Sequence, residues 1–426
     1  MLKRGLVAVA CLALALPAHA FVISEDPLEE SSFVAGGAVR SYNLLLHGGP
    51  LSAPFVPRDE NPAAVSIVAL RPKLELKHPE FAVVIHDELT SSSSTLPASL
   101  LGSTLSIGKG AATPTWLPLA WSAVDHSRFQ LQNRIDWLYA RASFDDMSLT
   151  LGRQPITIGR GHIWTPEDLL VPFSPLQLNT EYKPGVDAVR LDLPVTDGAT
   201  LMLVGALGKR EPKSDFEVGK DGSAVLARVE ASVAKLRLGA LGGYVRGDAV
   251  GGIDLFVDLG GGTDLHGSTT VTYVPDTERR RYGRAAFERA VLGSTSQLHE
   301  KLLFTAEAYV NGSGAPKPKY YLDEMTSPRF AVGEAYNVGR LYVGVAADWE
   351  LHPLLHALGS AILNAEDPSA ILAPELDFDV AENTLLVAGA FIPVGKGPRY
   401  EATAITPESE FGLYPRIYHL DAKIYF

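Results

Sequence analysis

The chain has 426 residues, a formal net charge of −12 at pH 7 and one cysteine. One thiol excludes a disulfide framework and cysteine-rich metal sites, and the acidic balance argues against a nucleic-acid partner. With 39 glycines, 29 prolines and no apolar run long enough for a membrane helix after the N-terminus, the composition points to strands joined by turns.

The first 20 residues read as a secretory signal peptide. Lys3 and Arg4 form its positive start, Gly5 to Leu16 its apolar core, and Ala18-His19-Ala20 its cleavage site. The apolar run is too short to span a bilayer as a helix. Cys11 lies inside this segment, and Ala8-Val9-Ala10 before it is a poor lipoprotein signal. Removing Lys3 and Arg4 leaves residues 21–426 at a net charge of −14, and they read as one domain.

Eighteen period-two segments follow in chain order. They are 34–46, 64–76, 80–90, 128–143, 147–158, 185–195, 199–208, 223–233, 235–247 and 250–261. The remainder are 264–274, 285–293, 299–310, 336–349, 353–363, 370–380, 383–392 and 413–426. Short links such as 78–80, 145–147, 196–198, 234–235, 261–263, 294–297, 352–353 and 382–383 alternate with mostly longer ones, among them 47–63, 91–127, 159–184 and 311–335. An up-and-down transmembrane β-barrel of 16–18 strands keeps this phase, with tight turns at one end and long loops at the other. A soluble sandwich or solenoid has no reason to. The last segment, ending on Phe426, looks like the closing strand of a bacterial outer-membrane barrel.

The faces of these strands separate cleanly. Phe129, Leu131, Ile135, Trp137 and Tyr139 alternate with Arg128, Gln130, Gln132, Arg134 and Asp136. Asp254 and Asp258 oppose Leu255, Val257 and Leu259, and Glu375, Asp377 and Asp379 oppose Leu376 and Phe378. Charges are costly against lipid, so the polar face belongs to a wet lumen carrying both signs. Trp137, Tyr139, Tyr244, Tyr273, Tyr309, Tyr336, Trp349, Tyr418 and Tyr425 are candidates for interface girdles.

Catalytic motifs are missing. There is no nucleophile elbow, no H-E-x-x-H, no Walker spacing in 108–115 and no pair of histidines at metal-ligand spacing. No enzyme activity, cofactor or metal is expected. Arg279, Arg280, Arg281 and Arg284 cluster in one predicted outer loop, where guanidinium groups suit lipopolysaccharide phosphates or an anionic polymer, unless the loop is simply solvated.

The stretch "GRQPITIGRGHIWTPEDLLVPFSP" carries strand 147–158 into an apolar, proline-rich loop. Its composition predicts either inward folding as a constriction or packing on the rim. The inward version puts Arg153, Arg160, Glu167, Asp168 and Lys183 near the narrowest point. Together with G-R-Q, G-R-G, P-x-D-L and P-F-S-P, the following K-x-G-x-D-A-x-R makes this region resemble alginate-exporter-type barrels, within a wider group of porin-like barrels. That resemblance implies eighteen strands and a pore for an extended acidic polysaccharide, with Arg134, Arg153, Arg160 and Arg190 as liners. Asp136, Asp192, Asp254, Asp258, Glu375 and Asp377 depart from a purely basic path and leave a less charged polymer open.

The expectation is therefore an outer-membrane conduit for polysaccharide export. Lipid and lipopolysaccharide would surround it, periplasmic export proteins would deliver its cargo, and Lys183 and Asp192 would join the pore-lining set. The alternatives are a diffusion porin for small solutes and a barrel that anchors an enzyme or adhesin.

Overall fold

The computed structural model describes residues 21–26, 30–48, 61–96, 115–178, 180–209, 219, 221–400 and 405–426. The signal-peptide segment, Cys11 and residues 108–114 lie outside the described residues, as does most of the 47–63 link.

Period-two alternation produces the elements it predicts. Strand β1 is Phe21–Asp26, β2 Ser31–His47, β3 Ala63–Lys77 and β4 Phe81–Ser94. Then come β5 Ala120–His126, β6 Phe129–Phe144, β7 Met147–Gln154, β8 Val186–Thr196 and β9 Ala199–Leu207. The next group is β10 Ala224–Val233, β11 Leu236–Val245, β12 Asp248–Gly260, β13 Thr263–Tyr273 and β14 Ala286–His299. The chain continues through β15 Leu302–Asn311, β16 Leu341–His352, β17 Leu355–Asn364, β18 Ser369–Ala381 and β19 Thr384–Val394. A small hairpin, β20 Arg399–Tyr400 and β21 Ile405–Thr406, precedes β22 Arg416–Tyr425.

Leaving aside β1, β5 and the small hairpin, eighteen antiparallel strands pair with their neighbours in chain order. The ring closes where β22 pairs with β2, from Ala38↔Tyr425 to His47↔Arg416. Gly37 and Phe426 complete the seam by exchanging backbone hydrogen bonds. A closed barrel leaves no sheet edge unpaired, which a hydrocarbon environment demands.

β10 shows why the wall forms. Val225, Val229 and Val233 face outward and are exposed, whereas Leu226 and Arg228 face inward and are buried. Outward leucines, valines and isoleucines recur around the barrel, as at Leu151, Val189, Ile253, Val271, Leu292, Val343 and Leu372. A continuous apolar belt of this kind suits lipid. Among the predicted girdle residues, Tyr244, Tyr273, Trp349 and Tyr418 are exposed with this belt. Tyr309 and Tyr425 instead reach inward partners, because their parity puts them on the lumen face, and Trp137 turns inward because a register shift at Asp136 breaks the alternation that places Ile135 outward.

Each of the eighteen expected segments corresponds to one barrel strand, with several boundaries corrected. The 147–158 segment stops at Gln154, since Pro155 has no N–H for the ladder. The 285–293 segment runs on to His299, so 294–297 is strand and the turn falls at 300–301. The 336–349 segment starts at Leu341. Two wall strands lack a counterpart in the sequence reading. β1 extends β2 beyond the end of β22, with Phe21↔Ala35 through Asp26↔Ser31. β5 pairs with the part of β6 that β7 leaves bare, from Ala120↔Arg134 to His126↔Phe129.

The inward surface near the long-loop end carries two apolar cores. One joins Leu44, Leu46, Val65, Tyr309, Tyr342, Ile362, Ile371 and Phe391 of the wall to Trp164, Leu176, Phe411 and Tyr414 of the loops. The other joins Ile156, Ile158, Leu169, Leu170 and Val171 to the inner faces of β8 to β12. Both are built on the same connection, residues 155–185.

Candidate functional site

That connection begins where β7 ends. Gly152 has φ +115°, and a Cβ there would sit 2.3 Å from the Leu138 carbonyl oxygen, so only glycine fits. The departure leaves a gap in the wall, which Arg153 fills. Its guanidinium donates to Asp187 at 2.7 and 2.9 Å, to the Leu117 carbonyl at 2.6 Å and to the Ile135 carbonyl at 3.1 Å. Asp187 in turn accepts the backbone N–H groups of Trp116 and Leu117, each at 2.7 Å. Arg153 is 1% exposed. It holds β7, β8 and the segment before β5 together and does not face an open lumen.

From there the chain crosses the barrel. Ile156 and Ile158 pack on β8–β12, and Arg160 pairs with Glu230 of β10 and lies 3.5 Å from Asp254 of β12. The tip then docks on the far wall. Glu307 of β15 accepts the backbone N–H groups of His162 at 2.7 Å, Ile163 at 3.2 Å and Trp164 at 3.0 Å. The Trp164 ring stacks on Tyr309 at 5.1 Å, and its Nε1 donates to Asn337 at 2.9 Å. Gly344 of β16 makes room for this ring, since a Cβ there would lie 2.7 Å from it. Three successive amides on one carboxylate form a charge-assisted anchor that fixes the tip in the interior.

The return path is tied just as closely. Arg246 donates to the Leu169 and Leu170 carbonyls, Thr270 to that of Pro166, and Tyr336 to that of Pro172. Lys183 forms a buried ion pair with Asp168, and Trp137 donates to the Lys183 carbonyl at 2.9 Å. Glu181 meets Arg40, Lys423 and Tyr425, while Arg40 and Arg71 each lie 4.3 Å from the centre of the Tyr182 ring. Lys73 donates to the Tyr182 hydroxyl. The loop therefore touches wall strands from β2 and β3 through β8–β16 to β22.

The residues singled out from sequence divide into two groups. Arg153, Glu167, Asp168 and Lys183 are buried and do not line an open pore: Asp168 and Lys183 pair with each other and Arg153 with Asp187, while the Glu167 carboxyl is enclosed with no ion-pair partner among the described residues. Arg134, Arg160, Arg190 and Asp192 keep partial exposure on the inner side. Arg134 lies 3.3 Å from both Glu88 and Asp136, and Arg190 forks onto Asp192 at 2.9 Å. The outer arginine group is more neutral than its sequence suggests. Arg279 pairs with Asp248, Arg281 with Glu324, and Arg280 and Arg284 donate to backbone carbonyls.

Burial sets the protonation of the loop carboxyls. It pushes Glu167 up to about 7, with Ser268 opposing the shift and Asp254 adding to it. Burial also raises Glu410 to about 7, despite hydrogen bonds from Tyr342, Val338 and Asn364. Burial opposes ionisation of Glu334 as well, but Arg329, Arg289 and Arg246 outweigh it and hold that carboxyl at about 2.

Sequence reasoning missed Arg40, Arg71, Lys73, Glu181, Tyr182, Glu307 and Lys423. Arg40, Arg71, Lys73, Glu307 and Lys423 stand on strands as ordinary polar positions of an alternating pattern, and only the docked loop gives them a common target.

This arrangement, a closed 18-strand antiparallel barrel with a connection folded into it, is porin-like. No protein-family profile matches the chain, and no curated protein matches it. Solved structures do. OccAB3 of Acinetobacter baumannii aligns with TM-score 0.57 at 11% identity, over 92% of this chain and 99% of that one. OccD3 of Pseudomonas aeruginosa aligns with TM-score 0.54 at 11% identity, over 96% and 93%. The outer membrane protein OpdK of Pseudomonas aeruginosa aligns with TM-score 0.52 at 10% identity, over 92% and 98%. At these identities the likeness establishes the fold.

Proposed function

We propose that this protein is an outer-membrane channel through which small polar solutes diffuse. The short turns would face the periplasm and the long loops the exterior, with lipid and lipopolysaccharide around the apolar belt. The observation that carries the reading is the 155–185 chain. It crosses the lumen, is anchored on Glu307 on one side and around Tyr182 on another, and leaves charged groups of both signs half-exposed beside it.

This geometry favours small solutes over an exported polymer. An extended polysaccharide needs an unobstructed axial bore, and here a tightly bonded segment stands across it. Delivery by periplasmic export proteins is not part of this reading, and neither is catalysis. Arg40 and Lys423 already gather the Glu181 carboxylate, with Arg71 and Lys73 beside them against the Tyr182 ring, so a solute carboxylate is the chemistry this group would recognise.

Liposome swelling with a size series of solutes tests the proposal. Sugars, amino acids and small carboxylates should enter and longer oligosaccharides should not. Passage of long oligosaccharides at comparable rates would overturn it.

A further inference from the structure

We propose that His162, Asp264 and His266 form a binding site for a divalent transition-metal ion of the zinc, nickel and copper class, at the tip of the inserted loop. Asp264 and His266 are the second and fourth residues of β13, so parity puts both on one face close to the short-turn end. His162 arrives from the loop, 104 positions earlier, and its ring lies edge-on to His266 with centroids 5.0 Å apart. One ligand atom from each of the three residues lies within 4.8 Å of the other two.

The donor set selects the ion. Two imidazole nitrogens and a carboxylate oxygen suit borderline cations, whereas magnesium and calcium prefer all-oxygen shells. Metal bonds of about 2.0–2.2 Å place tetrahedral ligand atoms roughly 3.3 Å apart, so the His266–Asp264 pair at 2.7 Å must open by about 0.6 Å and the His162 atom must close in by up to about 1.5 Å. His162 can supply that movement. Its ring is exposed and, among the described residues, takes no hydrogen-bond partner.

His266 is already oriented for the role. Its Nδ1 faces Asp264 at 2.7 Å, and its Nε2 faces Glu307 at 3.0 Å. An ion entering between Nδ1 and Asp264 displaces the proton there into solvent, while Nε2–H goes on donating to Glu307. A carboxylate behind the distal nitrogen is the arrangement that fixes the tautomer of metal-binding histidines. Glu307 also holds the His162 amide, so a single carboxylate positions both imidazoles. Water from the open side would complete the shell. A bound ion would staple the loop tip to β13.

The test uses the full chain without a histidine tag, purified in detergent, with Zn²⁺ alone titrated calorimetrically. One saturable site is expected, weakened at least tenfold by His162→Ala and by Asp264→Asn, with no heat from Mg²⁺. The His162 variant removes an exposed side chain, so the barrel stays folded, and heat-modifiable gel mobility verifies this. Absence of saturable Zn²⁺ binding, or a His162→Ala protein that binds as tightly as the parent, would overturn the site. The readout is independent of whether the barrel conducts solutes.

Discussion

Replacing Glu307 with glutamine probes the loop anchor with almost no change in volume. The carboxylate accepts three backbone N–H groups, from His162, Ile163 and Trp164, and also faces His266. A glutamine side chain has one acceptor oxygen, good for two hydrogen bonds, and turns N–H₂ toward the rest. At least one loop amide is then orphaned, at about 1–3 kcal/mol, and the two remaining bonds lose their charge assistance, at roughly 1 kcal/mol each. The sum is about 3–5 kcal/mol against docking of the tip, equivalent to a hundredfold or greater rise in its undocked population. The wall strands keep their ladders, so the barrel should still assemble. Single-channel recording in planar bilayers reads the effect: Glu307→Gln should give larger conductance and excess current noise. Currents indistinguishable from the parent in both amplitude and noise would show that the tip neither restricts the pore nor depends on this anchor.

Loop docking should also respond to pH. Glu167 is enclosed and its carboxyl is raised to about 7, above the ~4.3 of a free glutamate. A raised acid favours the docked state fully below the unfolded value, and that contribution is lost as pH climbs through about 7. Trypsin cleavage after Arg160 in the folded protein should therefore be faster at pH 8 than at pH 5.5, once corrected for the pH profile of trypsin on a peptide. Glu167→Gln should flatten the difference, and an unchanged ratio in that variant would remove Glu167 from the argument. Arg153→Ala strands the buried Asp187 and opens the gap beside β7, so resistance to urea unfolding should fall by about 3–5 kcal/mol. Equal unfolding midpoints and slopes for parent and variant would contradict the wall-sealing role.

The parts of this structure legible in the sequence are those governed by local periodicity. Alternation in β10, where Val225, Val229 and Val233 face outward while Leu226 and Arg228 face inward, is visible in any window of nine residues. Alternating short and long links then give the strand count and the up-and-down order. β5 escaped because its seven residues carry little pattern of their own, and it exists to cover an edge that another strand abandons. The inward loop was visible as an apolar, proline-rich anomaly after Gly152, but its destination was not. Nothing near Trp164 in the chain announces Glu307, Tyr309 or Gly344, which receive it from more than 140 positions away. Arg153 misled for a related reason. An arginine on a barrel strand reads as a pore liner until the chain leaving beside it turns its position into a seam.

The size limit for permeation, compared between the full chain and a variant lacking residues 162–180, bears most directly on the central claim. The parent protein in liposomes should admit small sugars and amino acids and exclude longer oligosaccharides, and the deletion should raise both the conductance and the size limit. Identical size limits and conductances for the two proteins would contradict the account.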